Sequence, residues 1–109
     1  MIIELGRIVR EVEVREVADG KKVMNNALAI QRGKNMTTFV EFEAWDQMAE
    51  RIEKYFKKGY EILLQGQLIN KKKKRGEVEY TGVGILVDKI YFTNGNPRNG
   101  ALEKEPTVE

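Results

Sequence analysis

Apolar and polar residues alternate along most of this chain, and a single stretch of helical spacing interrupts the alternation. A period of two commits a backbone to strands that are buried on one face and wet on the other. Ile3 and Leu5, then Val12 and Val14, alternate with charged residues and predict a long first strand interrupted near Gly6. Asp19-Gly20 is a hairpin signal, since both residues tolerate the positive φ of a tight turn. Val23 to Ile30 reads as a second strand, Gln31 to Asn35 as a loop around Gly33, and Thr37 to Trp45 as a third strand.

The helical stretch follows at once. Met48, Ile52, Tyr55 and Phe56 fall on one stripe, Asp46 is expected to cap its start, and Lys57-Lys58 suit the negative end of its dipole. Gly59 supplies a left-handed stop. A fourth strand runs from Tyr60 to Ile69, with Ile62, Leu64 and Leu68 on one face, and a fifth from Val78 to Phe92, with Gly82 and Gly84 as the expected place of a bulge. Between them Lys71, Lys72, Lys73, Lys74 and Arg75 read as a cationic loop. The predicted organisation is one domain over 1–93 and a short disordered polar tail over 94–109. Five strands with one helix between the third and fourth is the layout of an all-β OB-fold barrel, which binds oligonucleotides or oligosaccharides on its middle strands.

Composition narrows the chemistry. The chain has 109 residues, enough for one modest core, and no Cys, His or Ser. Disulfides, Cys-rich zinc sites, thiolate nucleophiles and Ser-His-Asp triads are therefore excluded. Glu41 and Glu43 lie two apart but no partner or pocket accompanies them, and the glycines form no phosphate cradle. No enzyme, metal or cofactor is expected. Met1-Ile2-Ile3-Glu4 is charged too early for a signal peptide and no long apolar run exists, so the expectation is a cytoplasmic protein without a membrane partner.

The third strand carries the strongest functional signal. Val40, Phe42 and Ala44 share the core face, whereas Phe39, Glu41, Glu43 and Trp45 share the other. Two carboxylates mark that face as wet, and aromatics on a wet face can stack bases, each worth about 1–3 kcal/mol. Trp45 has a second reading, as a side chain folded under the barrel end or into a subunit contact. The cationic run would flank the same face, with Arg32 and Lys34, in the loop before the third strand, as a second basic lip. Together these form a groove for a phosphate backbone; the plainer reading is a lysine loop that keeps an edge hairpin soluble.

Leu5-Gly6-Arg7-Ile8, Glu11 to Arg15 and Leu28-Ala29 are followed by Thr38-Phe39, Ala44-Trp45, Met48-Ala49-Glu50, Lys58-Gly59 and Gly66-Gln67-Leu68. In this order and spacing, from about Ile2 to Phe92, the chain resembles the bacterial and phage single-stranded DNA-binding proteins. The resemblance implies an OB-fold that binds single strands without marked sequence preference, usually as a homotetramer; a dimer is also compatible with the sequence. It implies stacking roles for Phe39 and Trp45, and phosphate contacts for Lys71, Lys72 and Lys58. Arg7, Arg32, Lys34, Lys73, Lys74, Arg75 and Tyr80 complete the candidate DNA-binding set.

The departures from the family pattern are informative. Lys73 and Lys34 stand where stacking aromatics are usual, and Glu41 where a base is common, so it would repel phosphate. Val12 replaces a frequent proline and Asn26 an apolar residue. Binding is thus expected to lean on charge and to be salt-sensitive, with a log–log slope near −0.7 per phosphate neutralised. The chain closes Pro106-Thr107-Val108-Glu109 instead of the family's acidic Ile-Pro-Phe tip, so recruitment of replication and repair proteins by that route is not expected. The alternative to DNA coating is a primosomal-type OB-fold module that holds a protein partner, with Trp45 as anchor and the two glutamates in its favour.

Overall fold

The alternating stretches form strands and the apolar stripe forms a helix in the computed structural model, which describes residues 1–76 and 78–96, with the backbone alone at 72–75 and 78–81. In chain order the elements are β1 (Ile2–Ile8), β2 (Arg15–Glu16), a 3-10 turn (Ala18–Gly20), β3 (Lys22–Gln31), β4 (Thr37–Trp45), α1 (Asp46–Tyr55), β5 (Glu61–Arg75) and β6 (Val78–Tyr91). Neighbours around the sheet are β1, β5, β6, β4 and β3, and β3 pairs back onto β1. The result is a closed five-stranded barrel with one helix after β4, as the OB-fold expectation requires. The two-residue β2 is an appendage on β3. β4 and β6 run parallel, and the other pairs are antiparallel.

Closure depends on Gly6. β1 pairs with β5 from Ile2 to Arg7, then passes to β3 at Arg7 and Ile8. A Cβ on Gly6 would lie 2.8 Å from the Ala29 carbonyl oxygen, so a larger residue would hold the two strands apart. Met24, Leu28, Phe42, Ile62, Leu64 and Ile85 fill the barrel, and Ala49 and Ile52 of α1 close one end. Phe92 packs in a stacked arrangement on Phe56, 5.1 Å between ring centroids.

Several local expectations are corrected. The first strand stops at Ile8, although Val12 and Val14 still pack on the core. The cause is Asn26, which is fully buried. Its Oδ1 accepts the Arg10 N–H at 3.0 Å, and its Nδ2 donates to the carbonyls of Arg10 at 3.1 Å and Glu11 at 3.3 Å. A side chain thus takes the backbone groups that a strand would offer to its ladder. Asp46 does not cap α1; its carboxylate accepts the Lys22 N–H at 2.9 Å and ties the helix start to β3. The helix ends at Tyr55, and Gly59 (φ +89°) instead serves the turn in which the Tyr60 N–H bonds to the Lys57 carbonyl.

The cationic run is not a loop. Lys71 to Arg75 continue β5, paired from Lys71↔Gly82 to Arg75↔Val78, and the chain turns at Gly76 (φ +60°). Strand pairing uses only backbone groups, and successive residues project to opposite sides, so a run of like charges does not forbid it. The bulge is not at Gly82 or Gly84 but opposite Gln65 and Gly66, which face Lys89 and Val87 and leave Asp88 as the extra residue. Beyond β6, the Asn96 amide binds the Glu61 backbone twice, accepting its N–H at 2.6 Å and donating to its carbonyl at 2.7 Å. Positions 97–109 of the expected tail lie outside the described residues.

Candidate nucleic-acid interface

The outer face of β4 is the middle of a broader surface. Phe39, Glu41, Glu43 and Trp45 stand opposite Ala29, Ala27, Asn25 and Val23 of β3, and Glu41 and Glu43 stand beside Gly84 and Leu86 of β6. Phe42 and Ala44, one residue out of phase, are fully buried. The aromatics stay open: Phe39 is 65% exposed and Trp45 37%. They sit six residues apart, about 20 Å along a strand.

The two carboxylates between them are both neutralised. Arg10 clasps Glu41 through two bonds, at 3.0 and 3.4 Å. Glu43 accepts the Lys71 ammonium at 2.9 Å and the Trp45 indole N–H at 2.5 Å, and the same ammonium donates to Asn25 Oδ1 at 2.6 Å. Burial alone would raise the Glu43 carboxyl, but the hydrogen bonds from Trp45 and Lys71 and the charge of Lys71 hold it below the usual carboxylate range. The repulsion expected of Glu41 is therefore offset within the protein. Arg10 was missed in the sequence because it lies in a segment read as strand, far from β4. The one signal available was Asn26, a polar residue in phase with Met24 and Leu28 on the core face.

Lys71 also departs from expectation. Its side chain is only 15% exposed and lies across β6 at Gly84, where a Cβ would stand 2.8 Å from Lys71 Cγ. The remaining candidates lie around the face. Arg7 is paired with Ala29, which is paired in turn with Phe39, and its guanidinium donates to the Gly59 carbonyl at 3.1 Å. Lys58 is exposed in that same turn. Arg32 stands 3.5 Å from Glu4, and Lys34 is exposed at the β3–β4 turn beyond the Phe39 end. Lys72, Lys73, Lys74 and Arg75 lie in the β5–β6 arm, with Tyr80 opposite Lys73; their side chains are outside the described set.

The single-strand binding protein family matches this chain over residues 1–93. The chain belongs to that family. Among its curated relatives in the family, a single-stranded DNA-binding protein of Fusobacterium nucleatum is 27% identical over 111 residues, covering 94% of this chain and 72% of the relative. Single-stranded DNA-binding protein 1 of Lactococcus lactis is 25% identical over 116 residues, covering 99% of this chain and 77% of the relative. The protein of that name from Streptococcus pyogenes is 30% identical over 86 residues, covering 72% and 66%. Among the described residues, no helix of this family member is long and apolar enough to cross a membrane.

Proposed function

We propose that this chain binds and protects single-stranded DNA without catalysis, in the replication, recombination or repair of a cytoplasmic genome. The observation that carries the reading is the pair of open aromatics, Phe39 and Trp45, on a face whose two carboxylates are already paired with cations. Such a face can stack bases without repelling the backbone that carries them. Phosphates are neutralised around it by Arg7 and Lys58 on one side, Arg32 and Lys34 past the β3–β4 turn, and Lys72 to Arg75 in the β5–β6 arm, beside Tyr80. The working unit is a homo-oligomer, a tetramer by family resemblance. Glu41 and Glu43 were the features in favour of a module that holds a protein partner, and their pairing removes that support.

Competition binding tests the reading. Labelled oligo-dT should bind, and an unlabelled duplex of equal length should fail to displace it. Phe39→Ala and Trp45→Ala should each weaken binding by about 1–3 kcal/mol. Equal affinity for duplex, or parent-like binding by both variants, would refute stacking on this face.

A further inference from the structure

Among the described side chains, Lys71 is the most enclosed of the cations expected to contact phosphate, with two partners inside the protein. Its ammonium sits between Glu43 of β4 at 2.9 Å and Asn25 of β3 at 2.6 Å, although Lys71 itself belongs to β5. To arrive there its stem must lie flat across β6. Gly84 makes that path possible, since even one methyl group at that position would stand 2.8 Å from Lys71 Cγ and 3.2 Å from Cδ. Glu43 meanwhile uses its second oxygen for the Trp45 indole. One carboxylate thus joins a strut spanning four strands to the aromatic at the end of β4.

We propose that Glu43 is a positioning residue, which holds Lys71 back from phosphate as a strut of the face and fixes the orientation of Trp45 for stacking. The inference rests on the single-strand-binding reading and refines it. An ammonium bound to two oxygens at these distances, with 15% of its side chain exposed, has a third N–H, but its charge is already offset by Glu43, so it neutralises a phosphate only by leaving that carboxylate. The floor of the face is then neutral and carries the bases, while the surrounding cations carry the backbone. The pairing thus takes one cation out of the count of phosphates neutralised.

The salt dependence of binding reads that number. Each phosphate neutralised on a single strand contributes about 0.7 to the log–log slope, or about fivefold in affinity per tenfold change in salt. Titrations should follow the anisotropy of a labelled oligo-dT, which does not depend on Trp45. Glu43→Gln, which removes the charge that offsets the ammonium, should steepen the slope by about 0.7. The double variant Lys71→Met/Glu43→Gln, which removes both charges of the pair, should keep the parent slope. A double variant shallower by about 0.7, or a parent-like slope in Glu43→Gln, would make Lys71 a phosphate contact and overturn the proposal.

The second arm needs no DNA. Trp45 emission anisotropy should fall and acrylamide quenching should rise in Glu43→Leu, which has no acceptor, and should be restored in Glu43→Gln, which keeps one. Parent-like values in Glu43→Leu would show that the indole is held by something else. If the parent binds no oligonucleotide, the single-strand reading fails, and this arm still decides whether Glu43 positions the indole.

Discussion

Replacing Asn26 with Ala should loosen the segment after β1 and, through it, the binding face. The substitution removes three hydrogen bonds that Asn26 makes to the backbone of Arg10 and Glu11, at 3.0, 3.1 and 3.3 Å. Each such bond is worth about 0.5–1.5 kcal/mol net. Arg10 and Glu11 are themselves exposed, so water can take over part of the loss. The expected destabilisation is therefore about 2–3 kcal/mol, in the lower half of the summed range of about 1.5–4.5 kcal/mol. At about 4–8 °C per kcal/mol for a domain near this size, the melting temperature should fall by at least about 8 °C at equal protein concentration. Urea unfolding should show a lower midpoint with the same slope. Hydrogen exchange supplies a local readout: the Arg10 amide should lose protection before the β3–β4 ladder does. Arg10 should also release Glu41, so oligo-dT affinity should fall although Asn26 itself is buried. A variant within about 0.5 kcal/mol of the parent, with the Arg10 amide still protected, would refute the claim that Asn26 ends the first strand.

Replacement of Lys72, Lys73, Lys74 and Arg75 by Gln should weaken binding equally for all single-strand sequences and flatten the salt slope by up to about 2.8, four contacts at about 0.7 each; a sequence-selective loss would contradict phosphate contact. Acid should release the Glu43 cluster. The folded carboxyl lies below its ordinary value, so its contribution to stability is full above the unfolded value near about 4.3 and disappears as pH falls through the folded one. The charged groups nearby are Lys71 from β5 and, one pleat along β4, Glu41 with Arg10; β3 and β6 present Asn25, Gly84 and Leu86, which do not titrate. A change in Trp45 emission should therefore appear only below the normal Glu range and be absent in Glu43→Gln, and a midpoint above that range would contradict the pairing.

Much of this was legible in the sequence, for one physical reason. A strand buried on one side records its two faces in alternate residues, so the element order, the barrel and the division of Phe39 and Trp45 from Phe42 and Ala44 could all be read directly. Pairing across the barrel leaves no such record. Arg10 meets Glu41 across β3, and Lys71 meets Glu43 across β6, only because the register sets β4 between those two strands, with Gly84 leaving a path over β6. Lys71 to Arg75 read as a loop because charge density is a loop signal, yet backbone pairing is indifferent to it. Asp46 read as a cap, but a carboxylate at a helix start can bind any nearby N–H, and that of Lys22 is the one β3 offers. Asn26 stood in plain view as a polar residue on a core face; its meaning depended on which backbone it would meet.

Trp45 fluorescence tests the central claim most directly. It is the chain's single tryptophan, so its emission reports on the end of β4 alone. Titration with oligo-dT at low and at physiological salt, with duplex as control, should give strong quenching by the single strand only, relieved as salt rises. Salt-sensitive binding that leaves the emission unchanged would contradict base stacking at Trp45 and move the DNA to another face of the barrel.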